Sequence, residues 1–283
     1  PFFMVIMHFS GGLGNQMFEY ALYCTLQQAG ANPKIDLSHY GKQKTHNGYE
    51  LERIFNIKAN YSNKTERFFL KNYGKLKSKL WGKPYKERPG DQYLFNNNIP
   101  KFKNGFLKGY WQSENYFTGT AELVKQSFAF QHPNDERNLA ALQKINSLQS
   151  VSIHIRRGDY LIDGRNCVLN SGYWQTAIVY IKKQFPHAVF FVFSDDIHWT
   201  KETLQINGAE FVDWNKAENS YWDMFLMSKC KHNIIANSSF SWWAAWLNDN
   251  KSKLVLTPQN WMPHFSGSRD LIPKTWIKIK NEF

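Results

Sequence analysis

Val151-Ser152-Ile153-His154-Ile155-Arg156-Arg157-Gly158-Asp159 is a short apolar run that breaks off in charged and turn-forming residues. After it, Trp174, Ala177, Ile178, Ile181 and Phe185 share one face of a helix expected over Ser171 to Phe185, at the 3.6-residue period. Val189-Phe190-Phe191-Val192-Phe193 then reads as a buried strand that ends in Ser194-Asp195-Asp196. Strand, helix and strand in that order make the two strands parallel, with the helix crossing one face of their sheet.

The alternation continues toward the C-terminus. Ala209 to Val212 reads as a strand, Glu218 to Lys231 as a helix, Asn233 to Ala236 as a strand, Ser239 to Leu247 as a helix and Leu254 to Leu256 as a strand. Toward the N-terminus, a helical stretch around Asn134 to Ser147 precedes the opening strand. A similar unit starts the chain: a strand up to Phe9, the turn Ser10-Gly11-Gly12-Leu13-Gly14, a helix with Met17, Phe18, Ala21, Leu22 and Thr25 inward, and a strand at Lys34-Ile35-Asp36-Leu37. Asn15 is the expected N-cap of that helix. A chain of 283 residues accommodates two domains. The expected division is 1–148, with an irregular basic insert at about 40–115, and 149–283, the two α/β domains flanking a cleft.

With 42% hydrophobic and 20% charged residues the composition is that of a folded globular protein, and no apolar run reaches the ~18 residues of a membrane-spanning helix. The three cysteines, Cys24, Cys167 and Cys230, are odd in number and form no C-x-x-C, so neither a disulfide framework nor a zinc knuckle is expected. A reducing compartment, the cytoplasm, fits that usage. Net charge is +12, and the segment from Lys64 to Lys108, with 12 basic and 3 acidic residues, carries +9 of it. Such an excess suits an anionic membrane surface, a phosphorylated small molecule or nucleic acid, although no nucleic-acid module accompanies it. A solvated basic face is the plainer reading.

In open parallel sheets ligands bind beyond the carboxyl ends of the strands. Gly11-Gly12-Leu13-Gly14-Asn15-Gln16 opens a helix there, where unpaired N–H groups favour a phosphate, or where a tight turn simply packs the helix. With Asp36 about 20 residues on, the loop also suits an NAD-dependent oxidoreductase, but Met17 stands where that fingerprint needs a small residue. Arg156 and Arg157 follow a strand directly, so their guanidinium forks suit a pyrophosphate, or pair with Asp159. Ser238 and Ser239 lie at another strand-to-helix junction and offer a second anion site or an N-cap. Asp195 and Asp196 are candidates for hydrogen bonds to a base or ribose, or part of a solvated loop, while Trp242, Trp243 and Trp246 read as core. Phosphate-loop kinase, nucleophile-elbow hydrolase and zinc-protease motifs are missing.

Four blocks, Gly11 to Ala21, His154 to Tyr160, Phe193 to Asp196 and Ile235 to Leu247, together resemble the α-1,2-fucosyltransferases of glycosyltransferase family 11. The resemblance implies a GT-B type fold, α/β with two Rossmann-like domains of parallel sheet facing a central cleft. It implies a GDP-fucose donor, inversion without a metal or other cofactor, and a galactose 2-hydroxyl on a glycan acceptor. It assigns Arg156 to the β-phosphate, with His154 in the same motif, and Ser238 and Ser239 to the phosphates. Phe240 would lie by the guanine, and Asp195 or Asp223 against guanine or ribose. Gly12, Asn15 and Gln16 would face the diphosphate from the first domain. Bacterial relatives of this kind build O-antigen or capsule precursors, so peripheral contact with an anionic membrane is an expected use of the +9 segment. Inversion calls for a base at the acceptor hydroxyl; Asp36, His8 and Glu114 are the candidates, with Asp36 placed first.

Overall fold

In the computed structural model, residues 4–40, 47–68, 85–162, 168–263 and 268–283 are described. The chain divides into two compact units, Pro1–Gln131 with Gly267–Pro273 and His132–Ser266 with Lys274–Phe283. The first holds a four-stranded sheet in the order β2-β1-β4-β3, made of β1 (Met4–His8), β2 (Asn32–Asp36), β3 (Tyr85–Lys86) and β4 (Gly105–Lys108), all parallel. Parallel neighbours need a crossover, and helix α1 (Leu13–Gln28) supplies the one between β1 and β2. Met17, Phe18, Ala21, Leu22 and Leu26 of α1 are wholly buried, as the sequence period requires. Among its described residues the unit also has the short helices α2 (Leu51–Phe55) and α3 (Ala121–Ser127).

Helix α1 starts earlier than the sequence suggests. Gly12 is its N-cap, without a side-chain cap, and Asn15 lies inside the first turn with its backbone N–H on the Gly12 carbonyl at 3.0 Å. The expected cap role of Asn15 is therefore corrected. Gly11 takes φ +79°, a left-handed conformation open to glycine at little cost, and a side chain there would strike Asn15.

The second unit opens with α4 (Glu136–Ser147), which packs against α8 (Tyr221–Lys229) further along the chain. It continues as β5 (Ser150–Ile155), α5 (Gly158–Ile162), α6 (Ser171–Gln184), β6 (Val189–Ser194), α7 (Ile197–Leu204), β7 (Glu210–Val212), then α8. β8 (His232–Ile234), α9 (Ser239–Trp246), β9 (Val255–Pro258) and β10 (Ile277–Ile279) follow. The sheet order is β10-β9-β8-β5-β6-β7, again all parallel. Strands β5 and β6, near its middle, are buried on both faces, β5 with Val151, Ile153 and Ile155 on one face and Ser150, Ser152 and His154 on the other, and Val151, Ile153, Val192, Trp174 and Ile181 lie in one core. Trp242 and Trp243 are fully buried, which makes them core as read, while Trp246 is half-buried. This is the two-unit Rossmann-like α/β architecture of the GT-B type. In each unit the parallel strands bring their carboxyl ends to one edge.

Candidate active site

At that edge of the second unit, β5 passes directly into Arg156 and Arg157. The Arg156 fork is bidentate on Asp159, with Nε and a terminal nitrogen each 2.8 Å from a carboxylate oxygen, and its other terminal nitrogen is 3.3 Å from Asp195. Burial would lower its pKa, but the two carboxylates outweigh that and hold it above its ordinary value. Arg157 points elsewhere: its Nε is 3.2 Å from Asp196 and its guanidinium lies 3.7 Å from the Trp199 ring centroid. Asp195 accepts from the Arg157 backbone N–H at 2.8 Å, and Asp196 caps α7 through the Trp199 N–H.

His154, inside β5, is buried beside Phe240 with ring centroids 5.6 Å apart. Burial, with Arg156 nearby, pushes its pKa down to about 3, so the imidazole is neutral. Its Nδ1 is buried without a hydrogen-bond partner among the described residues. Ser238 is the N-cap of α9, its hydroxyl accepting from the Phe240 N–H at 3.3 Å. Asp223, on α8, accepts from Asn215 at 2.9 Å, and burial raises its pKa to about 8.

The edge of the first unit is built around the glycine loop. Glu19, fully buried on α1, accepts the Ser10 N–H, and the Tyr40 hydroxyl donates to the Gly11 carbonyl at 2.9 Å. Gln16 is also fully buried; its amide donates to Gly11 and Gly48 carbonyls and accepts from the Glu50 N–H. Asn15 accepts from Gln112 at 2.7 Å. At the end of β1, His8 Nδ1 lies 3.1 Å from Asp36 Oδ2 at the end of β2. Asp36 is wholly buried, its other oxygen taking the Ser38 N–H at 3.0 Å and facing Arg67 Nε at 3.4 Å. Burial alone would raise its pKa, but the hydrogen bonds from His8 and Ser38 prevail and hold it well below the usual carboxylate range. At the end of β3, Glu87 accepts the Tyr110 and Trp111 N–H groups, and burial pushes its pKa to about 7.

The model of "Glycosyl transferase family 11" matches residues 4–280. The chain belongs to that family. As a family 11 chain it is 33% identical to an alpha-1,2-colitosyltransferase of Escherichia coli over 98% of its own length and 99% of the relative's. It is 32% identical to the O-antigen biosynthesis glycosyltransferase WbnK of the same organism, over 95% and 98%. A galactoside alpha-(1,2)-fucosyltransferase 1 of Lagothrix lagotricha is 28% identical over 61% of this chain and 52% of the relative. Among solved structures, the fold resembles NodZ alpha-1,6-fucosyltransferase co-crystallized with GDP, at TM-score 0.50 and 14% identity, covering 86% of this chain and 92% of that one. It also resembles Arabidopsis thaliana FUT1 with GDP, at TM-score 0.50 and 12% identity, covering 93% and 72%. Membership of family 11 makes the chain a glycosyltransferase and displaces the oxidoreductase reading; Met17, in the third fingerprint position, is wholly buried.

The structure thus brings His154, Arg156, Asp195, Ser238, Ser239 and Phe240 to the strand ends of one unit, and Gly12 and Asn15 to those of the other. Asp36 lies behind His8 with no surface of its own, and Gln16 is engaged within the protein through its side-chain amide and its backbone N–H, the latter on the Gly12 carbonyl at 3.1 Å. Glu114 sits in a 3-10 turn, Glu114–Tyr116, beyond β4. Sequence reading overlooked Glu87 because β3 spans two residues and offers no periodicity. Cys167 and much of the basic segment, including Lys71, Lys75, Lys77, Lys79 and Lys83, lie outside the described residues. Among the described residues no helix is long and apolar enough to cross a membrane.

Proposed function

We propose that this family 11 enzyme transfers fucose, or a closely related 6-deoxy sugar, from its GDP-linked donor to the 2-hydroxyl of a galactose-terminated glycan, with inversion and without a metal. The observation that supports this most is the Arg156 fork. It is charged, 31% exposed, and holds on Asp159 a carboxylate that is itself 47% exposed, so a phosphate of matching bidentate geometry can take its place. As the sugar leaves, negative charge grows on the β-phosphate, where a fixed cation is worth most. Ser238 and Ser239 at the start of α9 add donors for the diphosphate, and the glycine loop at Gly12, Asn15 and Gln16 opens α1 at the strand ends of the first unit. His154, neutral and unsatisfied beside Phe240, suits the edge of a guanine, and Asp195 and Asp223 are the acceptors for guanine or ribose. The relative named for colitose keeps that sugar open as a donor, since it differs from fucose by one hydroxyl. A lipid-linked acceptor at the cytoplasmic face gives the basic segment a use, at about 1 kcal/mol per basic residue near an anionic leaflet.

The test is GDP release from GDP-fucose and from GDP-colitose, with EDTA present, using lactose, N-acetyllactosamine and a Galβ1-3-linked acceptor against an acceptor-free control. Acceptor-dependent release supports the reading and ranks donor and acceptor. No release from either donor, with no GDP-induced rise in Tm, overturns it.

A further inference from the structure

We propose that His8 is the catalytic base that takes the acceptor's proton, held in the required tautomer by the buried carboxylate of Asp36. The inference rests on the glycosyl transfer proposed above and names a residue for its remaining step.

Position comes first. His8 is the last residue of β1, at the carboxyl edge of a parallel sheet and immediately before the glycine loop, where open α/β sheets bind their ligands. Its orientation is fixed by the neighbouring strand: the register pairs His8 with Asp36, and their side chains meet at 3.1 Å. An ionised carboxylate only accepts hydrogen bonds. Asp36 is kept ionised by three donors, the His8 ring, the Ser38 N–H and the facing Arg67 guanidinium. The proton of a neutral His8 therefore sits on Nδ1, and Nε2 carries the lone pair. That nitrogen makes no hydrogen bond within the described residues and keeps contact with solvent, although the residue as a whole is only 9% exposed. The His39 ring, edge-on at 5.8 Å, and the Phe106 ring, at 6.2 Å, limit the ring's movement.

Three buried carboxylates of the same unit are worse placed. Glu19 is wholly buried with both oxygens on the Ser10 N–H, and Glu50 is 3% exposed and paired with Arg53. Glu87 has both oxygens on backbone N–H groups, so taking a proton there would loosen the turn after β4.

The step balances as follows. The acceptor oxygen forms its bond to C1 of the donor sugar while the C1–O bond to the β-phosphate breaks, and that electron pair leaves with GDP. The hydroxyl proton passes to Nε2, and the resulting imidazolium is stabilised by Asp36, which stays ionised. Asp36 and Arg67 are positioning residues, since they act through His8.

The test uses His8→Asn, whose amide nitrogen can still donate to Asp36 but which lacks the second ring nitrogen. The expected result is a fall in kcat of about 10²–10⁴-fold, the usual contribution of a positioned base, with the GDP-induced rise in Tm and the KM for GDP-fucose unchanged. His8→Ala should regain part of its transfer rate on addition of imidazole, which a merely structural role would not allow. Asp36→Asn should lower kcat while leaving GDP affinity alone. Transfer by His8→Asn near the wild-type rate overturns the assignment, as does loss of its response to GDP or failure of imidazole to restore His8→Ala. Wild-type protein that turns over neither GDP-sugar overturns this inference together with the proposed function, whereas wild-type turnover with an unaffected His8→Asn overturns this inference alone.

Discussion

Arg156 and Asp159 stand three positions apart, the guanidinium fork meeting the carboxylate with two contacts of 2.8 Å. The fork that suits a phosphate is thus already closed on an internal anion. Arg156→Ala should lower kcat about 10²–10³-fold, the usual cost of one preorganised donor at developing charge. Because the pair is partly exposed, the fold should lose no more than about 1 kcal/mol. Steady-state rates beside urea melts separate the two effects, and an unchanged kcat would contradict the assigned role.

With Arg156 in its proposed role on the donor phosphate, Asp159 would compete with that phosphate for the same fork. Asp159→Asn keeps the shape and removes the charge, so GDP should bind more tightly, by several-fold on the scale of an exposed ion pair. Isothermal titration with GDP checks this. Weaker binding would mean that Asp159 aims the fork rather than blocks it.

His154 makes the protein sensitive to acid. Its folded-state pKa of about 3 lies below the ordinary value of 6.5, so between those limits the unfolded chain binds the extra proton. Stability contributed by the neutral ring is complete above about pH 6.5 and falls by about 1.4 kcal/mol per unit as the pH drops toward 3. His232, also lowered by burial and by Lys231, acts with the same sign. Urea melts from pH 7 to pH 5 should show a smaller decline for His154→Gln than for the wild type. Equal slopes would show that the ring takes its proton freely in the folded state.

Asp223 has the opposite sign. Burial raises its pKa from 3.8 to about 8, so the folded chain keeps a proton that the unfolded chain releases. That contribution is complete below 3.8, shrinks as the pH rises, and is gone above about 8. Asp223→Asn cannot ionise and can still accept from Asn215. Its Tm should match the wild type at pH 4 and exceed it at pH 8.

Gly109 lies under the Glu87 carboxylate, and a methyl group there would overlap it. Gly109→Ala should displace Glu87 from the Tyr110 and Trp111 N–H groups and cost about 1–3 kcal/mol, the range for overpacking and for buried donors left unsatisfied. A chemical denaturation midpoint is the readout, and one unchanged from the wild type would show that Glu87 can swing aside.

Much of the second unit was legible in the sequence. The strands at Val151, Val189 and Asn233 and the helices at Ser171 and Ser239 show their periods over short windows, and the structure shifts their ends by two residues at most. The first unit was legible only as far as β2. Strands β3 and β4, with two and four residues, are too short to show alternation, and they pair with β1 from far along the chain.

The sequence by itself determined the order of strands and helices, the parallel sheets that follow from it, and the residues at or just beyond the strand ends, among them His154, Arg156, Asp195 and Ser238. Those are properties of short windows, where periodicity and turn chemistry act locally. Tertiary structure decided what each residue can do there. His8 and Asp36 stand 28 positions apart and meet only because β1 and β2 pair in register. The same packing buries Asp36 behind His8, turns the Gln16 amide inward and closes Arg156 on Asp159 and Asp195. Burial and long-range pairing set protonation, tautomer and access, and neither can be read from a residue's neighbours along the chain.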